Sequence, residues 1–71
     1  MTQSGQANPD DVQAVQDVLG KAMKDPQAWT TIAGLEYDDR FLHAVRRGRI
    51  KPSQTTADII LARARQLGLI Q

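Results

Sequence analysis

Apolar residues return along this chain every three or four positions, and nowhere do they alternate with period two over a useful length. That spacing marks amphipathic helices and predicts no sheet. The first stripe is Val12, Val15, Leu19 and Ala22/Met23. Ahead of it stands Asn8-Pro9-Asp10-Asp11, a strong helix start. Asn8 can cap, Pro9 suits the first helical position, and the two aspartates favour the positive end of the helix dipole. Gly20 weakens this helix but permits close packing. Lys24 lies near its end, and Pro26 forbids simple continuation.

Asp25-Pro26 repeats the cap-then-proline pattern. Ala28, Trp29, Ile32 and Ala33 give one apolar face of a short second helix, which Gly34 stops. Trp29 is expected in the core, because a domain of this size needs one large aromatic. A third helix is expected from about Tyr37 or Asp38, with Asp38 and Asp39 in its first turn. Phe41, Leu42 and Val45 are its buried side, Arg46 and Arg47 its last turn, and Gly48 its stop. Arg49 to Gln54 reads as a loop. Thr55 or Thr56 is the expected cap of a fourth helix, with Asp58 as the box partner of Thr55. Its apolar face is Ile60, Leu61, Ala64 and Leu67, and Gly68 closes it. Leu69 and Ile70 either fold back onto Val15 or Leu19 or pack against another chain. The expected fold is all-α, a compact bundle of four to five short helices forming a single domain over residues 8–71. A polar, disordered tail is expected over residues 1–7.

Seventy-one residues make one domain at most, with a marginal core. The chain has no cysteine, hence no disulfide and no thiolate metal site. Its one histidine, His43, cannot build a histidine zinc site alone. No cofactor or metal is expected. No apolar run approaches the roughly 18 residues of a membrane span. The opening MTQSGQANPDD lacks a basic-then-apolar signal pattern. A soluble, cytoplasmic protein with no membrane partner is therefore expected. Catalysis has little support, since there is no Gly-rich phosphate loop. A Ser53/His43/Asp58 set is one that any short chain supplies by chance. Asp38 and Asp39 are adjacent on a helix, so their side chains diverge. The expectation is a protein that is not an enzyme.

The net charge of +1 hides an asymmetry. Residues 1–39 set Lys21 and Lys24 against Asp10, Asp11, Asp17, Asp25, Glu36, Asp38 and Asp39, a balance of −5. Residues 40–71 set Arg40, Arg46, Arg47, Arg49, Lys51, Arg63 and Arg65 against Asp58, a balance of +6. The split predicts an acidic face and a basic face, the latter suited to phosphate. The plainer alternative is that the two halves attract each other across the fold. Arg63 and Arg65 fall on the outer side of the fourth helix and are expected to be solvated.

The stretch DPQAWTTIAGLEYDDRFLHAVRRGR carries a further pattern. A short helix with an Ile-Ala pair precedes Gly34-Leu35, and an amphipathic helix ending in Arg-Arg-Gly follows. Then come Arg47-Gly48-Arg49, Pro52-Ser53, Thr56, and Ala57 to Leu67 with Gly68. Over about residues 26 to 68 this resembles the helix-turn-helix of small phage and plasmid repressors, the Cro and lambda-repressor-like family. The resemblance implies a helix-turn-helix at residues 26–48, with a recognition helix over about 37–47 lying in the major groove of double-stranded DNA. The Gly34–Gly48 interval is longer than is usual in that family, so the turn is either lengthened or lies near Glu36.

With Phe41, Leu42 and Val45 inward, helical spacing turns Tyr37, Asp39, Arg40, His43, Arg46 and Arg47 outward. Arg40, His43, Arg46 and Arg47 would read or approach bases, with Tyr37 on bases or phosphates. Arg49 and Lys51 would grip phosphates. The acidic run Glu36-Tyr37-Asp38-Asp39 stands at the groove-facing end. Its carboxylates either accept from cytosine amino groups or cap the helix and pair with Arg40 or Arg46. Two functions follow. One is a sequence-specific, repressor-like transcriptional regulator, a homodimer through Leu69 and Ile70. The other is a small helical module that binds and inhibits a protein partner without touching DNA.

Overall fold

The computed structural model describes residues 6–70. Over that span the chain forms four helices: α1 (Pro9–Ala22), α2 (Pro26–Ala33), α3 (Asp39–Arg46) and α4 (Gln54–Gln66). Its radius of gyration is 11.3 Å, close to the roughly 11 Å of a compact chain of this length. The all-α bundle expected from the apolar spacing is the architecture observed.

All four helix starts follow from local chemistry, three of them with Asn or Asp as the cap. Asn8 Oδ1 accepts from the Asp11 amide at 2.9 Å and opens α1. Asp25 Oδ1 accepts from the Gln27 amide at 3.0 Å and opens α2. Asp38 Oδ1 accepts from the Phe41 amide at 2.8 Å. Asp38 is thus the cap of α3, and the helix begins at Asp39. Each cap satisfies a backbone donor that the first helical turn leaves orphaned.

The fourth start differs from expectation. Ser53, extended at φ −68° and ψ 164°, caps α4 in place of Thr55 or Thr56. Its Oγ accepts from the Thr56 amide at 3.1 Å. The helix therefore begins earlier, with Thr55 and Thr56 inside its first turn. Asp58, no longer a box partner, accepts from Gln54 Nε2 at 2.9 Å.

Helix α1 is the hub. Its Val15, Val18, Leu19 and Ala22 are buried, α3 and α4 lie against it, and α2 packs on α4 and α1. Ile32, Leu42, Val45, Ala57, Ile60 and Ala64 complete the fully buried core. Several residues read as core stand at its margin. Trp29 and Phe41 are only half-buried against it, while Met23 and Leu67, in the turns after α1 and α4, are exposed. Gly20 has no neighbour within 4 Å of where a Cβ would stand, so it serves no close approach.

Both ends of the described chain are tied to the bundle. Gln6 pairs with Ser53, and the Ala7 amide donates to the Pro52 carbonyl at 3.0 Å. Of the tail expected over residues 1–7, residues 1–5 lie outside those described, and residues 6 and 7 form a strap along the α3–α4 loop. Leu69 and Ile70 fold back against the core. Lys21 Nζ donates to the Leu69 carbonyl at 3.2 Å. Among the described residues, no helix is long and apolar enough to cross a membrane.

Candidate nucleic-acid interface

Helix α3 is held by one face and offers the other. Leu42 and Val45 are buried, and Gln16 Nε2 on α1 donates to the Val45 carbonyl at 3.4 Å. The opposite face carries Arg40, His43, Ala44 and Arg47, which line a shallow open depression with Asp39 and Arg49. Arg49 reaches this ridge because the chain reverses after α3. Gly48 takes φ 81°, and the Arg49 amide donates back to the Ala44 carbonyl at 2.9 Å. Lys51 follows, exposed beside the strap.

The acidic run that faced the expected groove is engaged within the fold. Glu36 pairs with Arg63 on α4, not with Arg40 or Arg46. Arg63 Nη2 lies 3.0 and 2.9 Å from the two carboxylate oxygens, and its Nη1 donates to the Ile32 carbonyl at 3.0 Å. The Arg63 guanidinium holds the Glu36 carboxyl below the usual carboxylate range, and Glu36 in turn raises Arg63. Arg63, expected to be solvated, is therefore a clasp across the end of α2. Asp38 is spent on its cap. Asp39 accepts the Trp29 indole N–H at 2.8 Å, which explains why that ring sits at the margin: its donor needs a partner the core does not supply.

The sequence-predicted site residues divide. Arg40, Arg47, Arg49 and Lys51 are exposed, and among the described residues the Arg63–Glu36 pair is the one ion pair, so these four cations have no acidic partner there. His43 stacks on Trp29, with ring centroids 4.6 Å apart and 29° between planes. Arg46 is drawn back beside it, its Nη2 3.4 Å from His43 Nδ1 and its Nε buried without a partner. Tyr37 does not join the ridge. It stacks on Phe41 at 5.5 Å, and both pack against the core. The link from α2 to α3, residues 34–38, is longer than the three or four residues of a tight helix-turn-helix.

A neighbouring hollow is walled by the strap, Val12, Gln13, Gln16 and Gln54, with Lys51 at its edge. Its amide donors are occupied. Gln13 donates to Asp17, Gln16 to the Val45 carbonyl and Gln54 to Asp11. Ser53 and Asp58 are likewise bonded elsewhere, and no hydrogen bond joins either to His43 among the described residues. No protein-family model, curated protein or solved structure matches the chain.

Proposed function

We infer that this protein binds double-stranded DNA, with α3 entering the major groove as in repressor-like helix-turn-helix proteins. The observation that carries the reading is the disposition of charge around α3. Glu36, Asp38 and Asp39 are exposed, yet each is held by a hydrogen bond within the chain, while Arg40, Arg47, Arg49 and Lys51 are exposed with no ion-pair partner among the described residues. A helix such as α3 is about 10–12 Å across with its side chains, and a major groove about 12 Å wide admits it. Arg40 and Arg47 project from the face that would meet base edges, and an arginine pairs bidentately with guanine. Arg49 and Lys51, beyond the end of α3, suit phosphates. Arg46, turned toward His43, supports the ridge and is not placed as a base reader.

The test is a titration of randomised duplex at low and moderate salt, comparing wild type with Arg40→Ala/Arg47→Ala and Arg49→Ala/Lys51→Ala. All four side chains are exposed, so melting temperatures stay close to wild type. Log affinity falls with log salt by about 0.9 per phosphate neutralised. Losing Arg49 and Lys51 therefore flattens the slope by about 2 on every sequence, whereas losing Arg40 and Arg47 abolishes enrichment of a short site. A partly palindromic site would add the dimer. Absence of binding at low salt would refute the reading and turn attention to a protein partner, for which the wholly exposed Leu35 is the first contact to probe.

A further inference from the structure

We propose that His43 reads a hydrogen-bond acceptor on a base edge through its Nε2–H, fixed in that tautomer by Arg46 and in that plane by Trp29. This rests on the DNA-binding reading above and assigns the chemistry of one contact within it.

The tautomer follows from the partner. A guanidinium carries only donors and does not deprotonate in proteins. With Arg46 Nη2 3.4 Å from His43 Nδ1, Nδ1 supplies the lone pair, and the neutral ring carries its proton on Nε2. That nitrogen has no partner among the described residues. His43 is only half-buried, and among the described residues the buried side-chain nitrogen without a partner is Arg46 Nε. His43 lines the same depression as Arg40 and Arg47.

The ring is held from two sides. Asp39 accepts the Trp29 indole N–H at 2.8 Å, Trp29 stacks on His43, and Arg46 closes the series. Asp39, His43 and Arg46 all belong to α3, so the ladder runs the length of the helix, with Trp29 of α2 laid across it. A donor fixed in this way loses little freedom on binding. In the major groove, guanine offers O6 and N7, adenine N7 and thymine O4 as acceptors, whereas cytosine offers only its amino donor. His43 therefore discriminates against cytosine at the base it contacts.

The chain has one histidine and one tryptophan, so readouts on either ring are unambiguous. A long-range proton–nitrogen spectrum of the free protein with its imidazole neutral is expected to show the Nε2–H form. The Nδ1–H form would overturn the assignment. On a selected duplex, His43→Ala is expected to lose roughly two- to tenfold in affinity, the worth of one neutral hydrogen bond. The loss disappears when the contacted base is replaced by cytosine. His43→Gln, whose amide N–H reaches a similar place, keeps most of the affinity and guards against a folding defect in the alanine variant. If both variants bind as wild type does, with unchanged base preference, the inference falls while DNA binding stands. If the wild type retains no duplex at low salt, DNA binding itself fails and the inference falls with it.

Discussion

Replacing Gly34 tests how the α2–α3 link is built. Gly34 takes φ 56° and ψ −143°, a region that L side chains rarely enter, at a cost of about 1–3 kcal/mol. A Cβ there would stand 2.6 Å from Glu36 Oε1 and 2.8 Å from Arg63 Nη1. Both are ends of flexible side chains and can swing aside, but doing so opens the clasp that closes α2. Against this, alanine stiffens the unfolded chain and returns about 0.4–1 kcal/mol. The net expectation for Gly34→Ala is a loss of about 1–2 kcal/mol, dominated by the backbone. For a domain of this size each kcal/mol shifts Tm by about 4–8 °C, so Tm should fall by about 4–16 °C. The control is Gly20→Ala. Gly20 lies inside α1 with nothing within 4 Å of its Cβ position, and there alanine should add about 0.5–1 kcal/mol. Thermal melts followed by circular dichroism decide the matter. If the two substitutions move Tm in the same direction, the account of the link is wrong. A Gly34→Ala/Glu36→Ala double variant separates the causes: recovery beyond Glu36→Ala alone would make the clash, not the backbone, the larger part.

Three further outcomes follow from the geometry. Ser53→Ala should cost about 1 kcal/mol as loss of a cap, while Thr55→Ala, exposed in the first turn, should cost a few tenths at most; equal losses in chemical denaturation would reject Ser53 as the cap. Glu36 is depressed below its ordinary value of 4.5, first by its hydrogen bond to Arg63, so its stabilising share is present above that pH and is lost as pH falls through the lowered value. The Tm advantage of wild type over Glu36→Gln should therefore close on acidification, and a gap constant through the carboxylate range would count against the clasp. Leu42→Ala empties a fully buried position between α3 and α1 and should cost about 2–5 kcal/mol, a large part of the stability of so small a domain; a urea midpoint near that of wild type would contradict the packing.

The features legible in the sequence are those whose partners lie within a turn. Asn8, Asp25 and Asp38 cap amides two or three residues on. Val15, Leu19 and Ala22 of α1 and Ile60, Leu61 and Ala64 of α4 face the core because helical periodicity fixes which residues share a side, while Met23 and Leu67 at the stripe ends are exposed. The fourth cap was ambiguous even locally. Thr55 and Thr56 stand side by side, and Asp58 three beyond Thr55 imitates a capping box; the cap is instead Ser53, next to the buried Pro52. What periodicity could not supply was any pairing across the fold. Arg63 meets Glu36 across 27 residues, and Trp29 meets Asp39 only because the 34–38 link brings the first residue of α3 within reach of the indole. The indole N–H was the one available signal for the second of these, since a tryptophan at the core margin needs an acceptor.

The acidic run Glu36-Tyr37-Asp38-Asp39 shows why charge read along a sequence misleads about charge on a surface. In the sequence it stands beside the arginines of α3 and argues against phosphate. In the fold each member has another task. Glu36 is neutralised by Arg63, whose other nitrogen holds the Ile32 carbonyl. Tyr37 stacks on Phe41. Asp38 meets the positive end of the α3 dipole, and Asp39 takes the Trp29 indole. Without Asp38 the helix would lose its cap. Without Asp39, Trp29 would lose its acceptor and His43 the fixed surface on which it stacks. The carboxylates are thus part of what builds the basic ridge. The charge of Glu36 is offset by Arg63 and that of Asp38 by the helix start. Asp39 stays exposed beside Arg40 and Arg47, and Arg40, Arg47, Arg49 and Lys51 face solvent with no ion-pair partner among the described residues. In the depression beside α3, Arg40, Arg47 and Arg49 outnumber the single carboxylate of Asp39.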